Sequence, residues 1–589
     1  MTAGTLAAEQ PGTPANTGPL ESDPNGIAPV CEPSTLGSPY IPVDSWVYPA
    51  VLRLYSLGFV DNVYLGMRPW TRASVTHMLE ETSARIEDAD GEPTASEAEG
   101  LYEALTRELH NDTEGPCLAH KGNARIESTY TVARGISGTP LRDSFHLGST
   151  IINDYGRPYE NGFNNYSGAS GYATRGRYAL YVRGEFQGAP SATGYSTALA
   201  STLSAVDVVP FYQPNGLPYN QATIPMGPIG AATYGRVMEA YASAQVLNHI
   251  FSFGKQDDWL GPGLGGGMAY SNNAEDIYSF HINRIEPLHV PLLSQITGPF
   301  RYEFLVGSLK GHTYPNDPWV HIEKISFRPT ENVEMGFERT VIWGGKGHVP
   351  ITIHSFLRSF FSLSAPDAAV KYSSNDPGAR FGAFDFSYRL PFVRNWLTLY
   401  SDSEVHDDLS PIDAPRRASV RPGLYLSHVP GIPKLDIRAE AVSTDPSVPE
   451  SHSGGYMYYE TIQRQGYTNK GVMFGDWIGR EDKGGQGWIT YHLSGNEMIQ
   501  VGLRNQKASK DFIPGSTTQT LPGTTTLIQG GTTLNDINFQ VVKRIGKDFE
   551  VNGNFALEHW KAPIYLPGQQ TVTTTTIQLT WFPERKVSF

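Results

Sequence analysis

A chain of 589 residues is too long for one ordinary compact core, and its formal net charge of −14 argues against a general nucleic-acid partner. With a mean hydropathy of −0.32 and no apolar run approaching about 18 residues, a helical membrane protein is excluded. A membrane β-barrel is not, because two-faced strands average out as polar. The charge is unevenly placed: the first 114 residues carry −13, of which −10 falls between Glu80 and Glu114, leaving −1 for residues 115–589.

Residues 1–37 are rich in Pro, Gly, Thr, Ala and Ser without periodicity and read as a disordered leader. Met1-Thr-Ala-Gly lacks the basic start and apolar stretch of a secretion signal, so the chain reads as a mature sequence with its leader removed. Cys31 and Cys117 bracket the acidic segment. A lone pair is too few for a structural metal site, and the two read either as one clip closing a long loop or as unrelated thiols. Over residues 38–114 the period is helical and predicts a three-helix bundle. Asp44 or Ser45 caps the first helix, which carries Val47, Val51, Leu54 and Leu57 on one face, with Gly58 just past its end. Thr71 caps a second with Val75, Met78, Leu79 and Ile86 inward, and Thr94 with Glu97 forms a capping box for a third through Leu101, Leu105 and Leu109.

The remainder, residues 115–589, changes near Gly122 to a period of two. Tyr178, Leu180, Val182 and Phe186 oppose Tyr181, Arg183 and Glu185; Ile499, Val501 and Leu503 oppose Gln500 and Arg504; Phe549, Val551, Phe555 and Leu557 oppose Glu550, Asn552, Asn554 and Glu558. A soluble sandwich and a membrane barrel share this alternation. The barrel is favoured by a polar face with paired charges and few lysines, and by strands of about nine to eleven residues. Aromatics recurring near strand ends (Tyr302, Trp319, Trp396, Tyr400, Trp488, Tyr491, Trp560 and Trp581) point the same way. Gly546-Lys-Asp reads as a short turn, whereas Tyr155–Arg175, Ala189–Tyr234 (with a short helix through Leu199, Leu203 and Val206), Thr444–Gly475 and Ile513–Leu534 read as long external loops.

Catalytic motifs are not evident. Gly261-Pro-Gly-Leu-Gly-Gly266 matches a dinucleotide fingerprint only superficially, since no helix follows it and Pro262 distorts the turn. Glu334 and Glu338 share a strand face as wall residues, and His406-Asp-Asp408 reads as an exposed loop rather than a cation site. No catalytic residue, cofactor or metal site is predicted. Sugar-binding chemistry is present, with aromatic faces for stacking and planar Arg, Asn, Gln and carboxylate groups for hydroxyls. The same groups also serve as structural ladders across a lumen.

Several words in the chain resemble the Wzi-type capsule assembly proteins: Tyr40-Ile-Pro-Val-Asp-Ser-Trp-Val-Tyr48, Leu65-Gly-Met-Arg-Pro-Trp-Thr-Arg72, Phe253-Gly-Lys-Gln-Asp-Asp-Trp-Leu-Gly-Pro-Gly263 with Ser271-Asn-Asn273, and Glu338-Arg-Thr-Val-Ile-Trp-Gly-Gly345. Phe384-Asp-Phe-Ser-Tyr-Arg-Leu390, Arg421-Pro-Gly-Leu-Tyr425, Pro433-Lys-Leu-Asp-Ile-Arg-Ala-Glu440, Gly466-Tyr-Thr-Asn469 and Trp477-Ile-Gly-Arg480 continue the likeness to the C-terminal part. The resemblance implies a mainly β fold, a transmembrane antiparallel β-barrel of about 18 strands with a periplasmic α-helical bundle at its foot. It implies a non-enzymatic, lectin-like role at the bacterial outer membrane: binding capsular or extracellular polysaccharide and organising its attachment, with membrane lipid around it and the capsule-export machinery as a candidate partner. The alternative is a carbohydrate-selective or general porin. On this basis Trp259, Trp343, Tyr467 and Trp477 are stacking candidates. Lys255, Gln256, Asn272, Asn273, Arg339, Arg358, Arg389, Arg438 and Arg480 are hydrogen-bonding candidates, and Asp385, Asp436 and Glu440 are expected to support the lumen.

Overall fold

The two-residue period leaves one choice open, whether the apolar face meets a protein core or lipid, and exposure decides it. Leu180, Val182 and Phe186 are 51%, 47% and 54% exposed, whereas Tyr181, Arg183 and Glu185 on the opposite face are buried. Apolar residues face outward and charged residues inward, the inverse of a soluble sandwich. This is a computed structural model that describes residues 36–113, 122–217, 221–363, 366–446, 456–509, 512–513, 519–520, 527–528, 531–583 and 586–588. Nearly all of the expected leader, and both Cys31 and Cys117, lie outside these residues.

Eighteen antiparallel strands form a closed barrel, running from Gly122–Ser137 to Leu566–Trp581. The seam joins these first and last strands, with Thr129 opposite Trp581 and Ser137 opposite Thr573. Strand lengths run from 7 residues (His249–Lys255) to 16 (Gly122–Ser137), a wider spread than expected. Most of the loop predicted over Tyr155–Arg175 is a strand, Gly162–Arg175. Its Asn, Gly, Ser and Ala residues hide the alternation, but it pairs along both edges, with Gly122–Ser137 and with Tyr178–Ala189. The aromatics also divide. Trp396, Tyr491 and Trp581 face outward as a girdle requires, whereas Tyr400 and Trp560 are buried.

Four helices, rather than three, sit where the strand connections are short: α1 (Val47–Leu57), α2 (Arg72–Met78), α3 (Thr82–Asp88) and α4 (Ala95–Thr113). A tight turn after Leu79 splits the predicted second helix, keeping Leu79 buried while Glu80 and Glu81 face out and Ile86 falls in α3. Gly58 ends α1 at φ 91°, and Thr71 caps α2 by accepting the Ser74 N–H. Val51, Leu54, Val75, Leu101 and Leu105 form the bundle's core. Buried cations tie the bundle to the barrel wall. Arg53 donates to Glu97 Oε1 at 2.8 Å and also reaches Tyr425 Oη and the Pro433 carbonyl; Arg389 donates to Asp61 Oδ1 at 2.6 Å and to the Tyr55 carbonyl at 3.1 Å.

At the opposite end the connections turn inward. Residues 256–277 and 456–481 fold into the lumen, where Met268, Tyr270, Tyr458, Tyr467, Phe474 and Trp477 build an apolar core inside the barrel. From the bundle side, Met67 and Arg68 reach the same region and pair with Leu260 and Trp259 as a small sheet. The predicted helix through Leu199 and Leu203 is present as Thr197–Val206, capped by Ser196.

Candidate functional site

The glycine loop 261–266 explains why residues 256–277, which with 456–481 form a plug in the lumen, can sit so close to the wall. Glu440, projecting from strand Leu435–Ser443, accepts the backbone N–H of Leu264 at 2.8 Å and of Gly265 at 3.1 Å, and Asp402 accepts that of Met268 at 2.7 Å. A Cβ on Gly265 would lie 1.9 Å from Gln486 Oε1. Leu264 and Gly265 of the fingerprint-like segment therefore present their N–H groups to a wall carboxylate, not to a phosphate.

Most of the sequence-derived candidates belong to this plug and its supports. Lys255 donates to Glu275 Oε1 at 2.5 Å, and Gln256 accepts from Ser252 Oγ. Trp259 is buried under the Arg68 guanidinium, 5.5 Å from its ring centroid. The Asn272 carbonyl accepts the Tyr155 N–H, and Asn273 donates to the Met473 carbonyl. Arg339 donates to the Ser359 and Phe360 carbonyls, closing the end of the helix Ile353–Phe361, and Trp343 packs edge-on against His321 beside it. Arg358, on the exposed side of that helix, contacts His354 and the Ser374 carbonyl. Arg389 lies at the foot, against the bundle. Tyr467 donates to Glu404 at 2.7 Å, and Trp477 donates to Gln486 at 3.1 Å. Arg480 donates to Asp207 at 2.7 Å, and Asp207 also receives His146 Nε2 at 2.9 Å. His406 is buried against Phe381 and Tyr456, not exposed on a loop as expected, because it ends a strand whose inner face meets the plug.

Among the lumen supports, Asp385 accepts from Lys324 at 2.7 Å, Asp436 from Tyr425 at 2.8 Å and His492 at 2.7 Å, and Glu440 from Arg421 at 2.8 Å.

The plug does not fill the whole lumen. A chamber of about 780 Å³ remains between the bundle (Trp46, Leu101), the segment Thr150–Arg157 and the wall strands of the C-terminal third. Its wall is a ladder of amides and hydroxyls: Gln500, Asn538, Gln540, Asn552, Asn554, Thr574, Thr576 and Gln578. They bond laterally, Gln500 to Thr490 at 2.9 Å and Gln540 to Asn552 at 3.1 Å, and keep further donors and acceptors for whatever fills the space. Tyr130, Tyr166 and Trp488 add aromatic surface. Of the thirteen ligand candidates only Arg438 lines this chamber, its guanidinium 4.2 Å above the Tyr425 ring. The chamber's other arginines are tied down, Arg134 to Asp154, Arg157 to Glu185 and Arg504 to Glu558, whereas Arg438 has no hydrogen-bonded partner among the described residues. A second cleft of about 340 Å³ lies toward the long connections, lined by Arg142, Tyr159, Tyr234 and Asn273. Asp154 and Arg157 border both spaces and bond to each other at 2.7 Å.

The fold and chamber define a class: a plugged outer-membrane-type β-barrel with a polar, partly aromatic lumenal site. The chain belongs to the capsule assembly protein Wzi family, whose model matches residues 132–575. It is similar to the solved Wzi of Escherichia coli, described as an outer membrane protein involved in group 1 capsule assembly and a carbohydrate-binding β-barrel. That likeness has 15% identity and a TM-score of 0.60, and covers 92% of this chain and 98% of that one. A Klebsiella pneumoniae protein, "Uncharacterized 55.8 kDa protein in cps region", is 24% identical over 172 residues, 29% of this chain and 33% of the relative's length. The match thus spans only about one third of that relative. Pseudomonas aeruginosa OccD3 is a weaker likeness, with 7% identity, a TM-score of 0.38, and 78% of this chain and 91% of that one covered. Family and barrel together imply the outer membrane.

Proposed function

We propose that the chain is a lectin-like protein of the outer membrane that binds capsular or extracellular polysaccharide and holds it at the cell surface, with the helical bundle in the periplasm and the long connections outside. The observation that carries this reading is the chamber: a lumen blocked by a packed core, yet keeping a cavity of about 780 Å³ walled by amides, hydroxyls and aromatic faces. A path for solutes would not need such a core across it. A glycan site needs that wall, because each sugar hydroxyl taken from water must find a partner. The solved Wzi, described as a carbohydrate-binding barrel, supports the same assignment.

Arg438 supplies the unpaired cation, suited to a uronate or other acidic substituent as well as to hydroxyls. The test is binding of purified capsular polysaccharide from the same organism to the detergent-solubilised protein. Arg438→Ala should weaken binding about 10- to 100-fold, the worth of a charge-assisted hydrogen bond. Arg358→Ala, remote from the chamber, should bind like wild type. Equal binding by wild type and Arg438→Ala would remove the chamber from the ligand path. In planar bilayers the intact protein should be nearly silent, and steady open-pore currents would favour the porin alternative.

A further inference from the structure

Where the plug meets the wall strands Tyr278–Arg284 and Phe300–Ser308, three buried side chains converge: Asp258, His281 and Glu303. Each offers one ligand atom, and these atoms lie within 4.8 Å of one another. A neighbour engages the other polar atom of each. Asp258 Oδ1 accepts the Trp259 N–H at 2.9 Å, His281 Nε2 lies 2.7 Å from Ser279 Oγ, and Glu303 Oε2 accepts from Asn283 Nδ2 at 3.1 Å. Asp258 Oδ2, His281 Nδ1 and Glu303 Oε1 remain as the inward set. Asp258 is 1% exposed and its Oδ2 has no hydrogen-bond partner among the described residues. His281 Nδ1 and Glu303 Oε1 are 3.2 Å apart, a separation that a zinc ion about 2.1 Å from each would span at an angle of roughly 100°.

Two carboxylates are thus buried together with no Lys or Arg ion-paired to either among the described residues. The nearby Arg301 is turned to Asn283 Oδ1 and the Arg284 carbonyl. Buried charge of this kind requires a cation or a proton. We infer that Asp258, His281 and Glu303 form a binding site for a divalent transition-metal ion of the zinc type. The donor set, one imidazole nitrogen and two carboxylate oxygens, suits such an ion. Ser279 and Asn283 act as the outer partners that fix the tautomer of His281 and the rotation of Glu303, with the Ser279 hydroxyl accepting from His281 Nε2 while donating its own hydrogen bond to the Ile277 carbonyl at 3.5 Å. Tyr40, whose buried hydroxyl has no hydrogen-bond partner among the described residues, lies close enough to feel both carboxylates. The site would staple the plug to two adjacent wall strands.

The test uses the full chain in detergent, stripped with EDTA and titrated with Zn²⁺ alone. Elemental analysis after desalting should find one zinc per chain in the wild type. Affinity should fall by about 10- to 100-fold or more in His281→Ala and in Asp258→Asn. X-ray absorption should show a shell of N and O donors without sulfur. Barrel integrity is checked in each sample by the shift between heated and unheated protein on a gel. Should His281→Ala not fold, the nearly isosteric Asp258→Asn carries the comparison. An intact wild-type barrel that takes up no stoichiometric zinc would overturn the site and leave a shared proton between the carboxylates. Wild-type affinity in Asp258→Asn would overturn it as well.

Discussion

Arg389 joins two parts of the molecule through one guanidinium, reaching the Tyr55 and Glu331 carbonyls and Asp61 from a barrel strand. Burial alone would lift the Asp61 carboxyl, but Arg389, Arg85 and Arg394 outweigh it and hold it below the ordinary range. Arg85 and Arg394 still compensate Asp61 when Arg389 is removed, so Arg389→Ala should loosen the bundle by the worth of a charged hydrogen bond, about 1.5–3 kcal/mol. Protease sensitivity of α1–α4 should rise, while the heated-to-unheated gel shift of the barrel persists. His146 is a second decisive residue, lying between Asp143 and Asp207 at 2.9 Å from each. Burial works against its charge, but the two carboxylates prevail and raise its pKa to about 9. That lies above the roughly 6.5 of an unfolded histidine. The stabilisation is therefore complete below about pH 6.5 and is lost as the pH climbs through about 9. Hydrogen-exchange protection factors in residues 141–150 and 197–207, with the base-catalysed intrinsic rate at each pH divided out, should be higher at about pH 6 than at about pH 9.5, and His146→Asn should flatten the difference.

At the scale of elements, the alternating strands were readable because lipid on one side and lumen on the other impose a period of two. Leu180, Val182 and Phe186 carry that signal plainly. Gly162–Arg175 does not, since its small residues satisfy the ladder without declaring a face. The plug was the hardest part to read. Residues 256–277 have irregular backbone, and their burial depends on Asp402 and Glu440, more than a hundred residues further along the chain. Motif resemblance drew attention to this segment, but its side chains are mostly spent on packing. Gln500, Asn552, Asn554 and Gln578 could be placed on the polar face by periodicity, yet nothing local says which part of the lumen the plug leaves empty. Replacing residues 256–277 with a short Gly-Ser linker should turn a silent barrel into a conducting one in a planar bilayer. Gly265→Val, pressing on Gln486, should cost about 1–3 kcal/mol through overpacking, seen as a lower midpoint for the gel shift on heating.

The whole molecule has two unlike ends, with helices over the short turns and folded connections over the other mouth. The proposed orientation predicts distinct labelling in a background with Cys31→Ser and Cys117→Ser. Asn215→Cys, exposed on a long connection, should react with an impermeant maleimide in intact cells, and Asp90→Cys, exposed on the bundle, only after the outer membrane is permeabilised. The reverse pattern would invert the proposed topology. The uneven net charge also acquires a structural meaning at this scale. Glu87 and Asp88 on α3 and Glu99 and Glu103 on α4 face solvent, whereas Glu97 turns inward to Arg53, and the barrel balances its own charges across the lumen as buried pairs such as Arg421 with Glu440.

The seam between Gly122–Ser137 and Leu566–Trp581 also constrains the order of assembly. A cylinder whose last staple comes from opposite ends of the sequence stays open-sided until nearly all of it has been laid down. The inward-folded connections can therefore enter sideways, through the unclosed wall, rather than thread through either mouth. Once Thr129 and Trp581 are paired, the contents are captive. The same ladder that keeps lipid out thus works as a latch on everything stored inside.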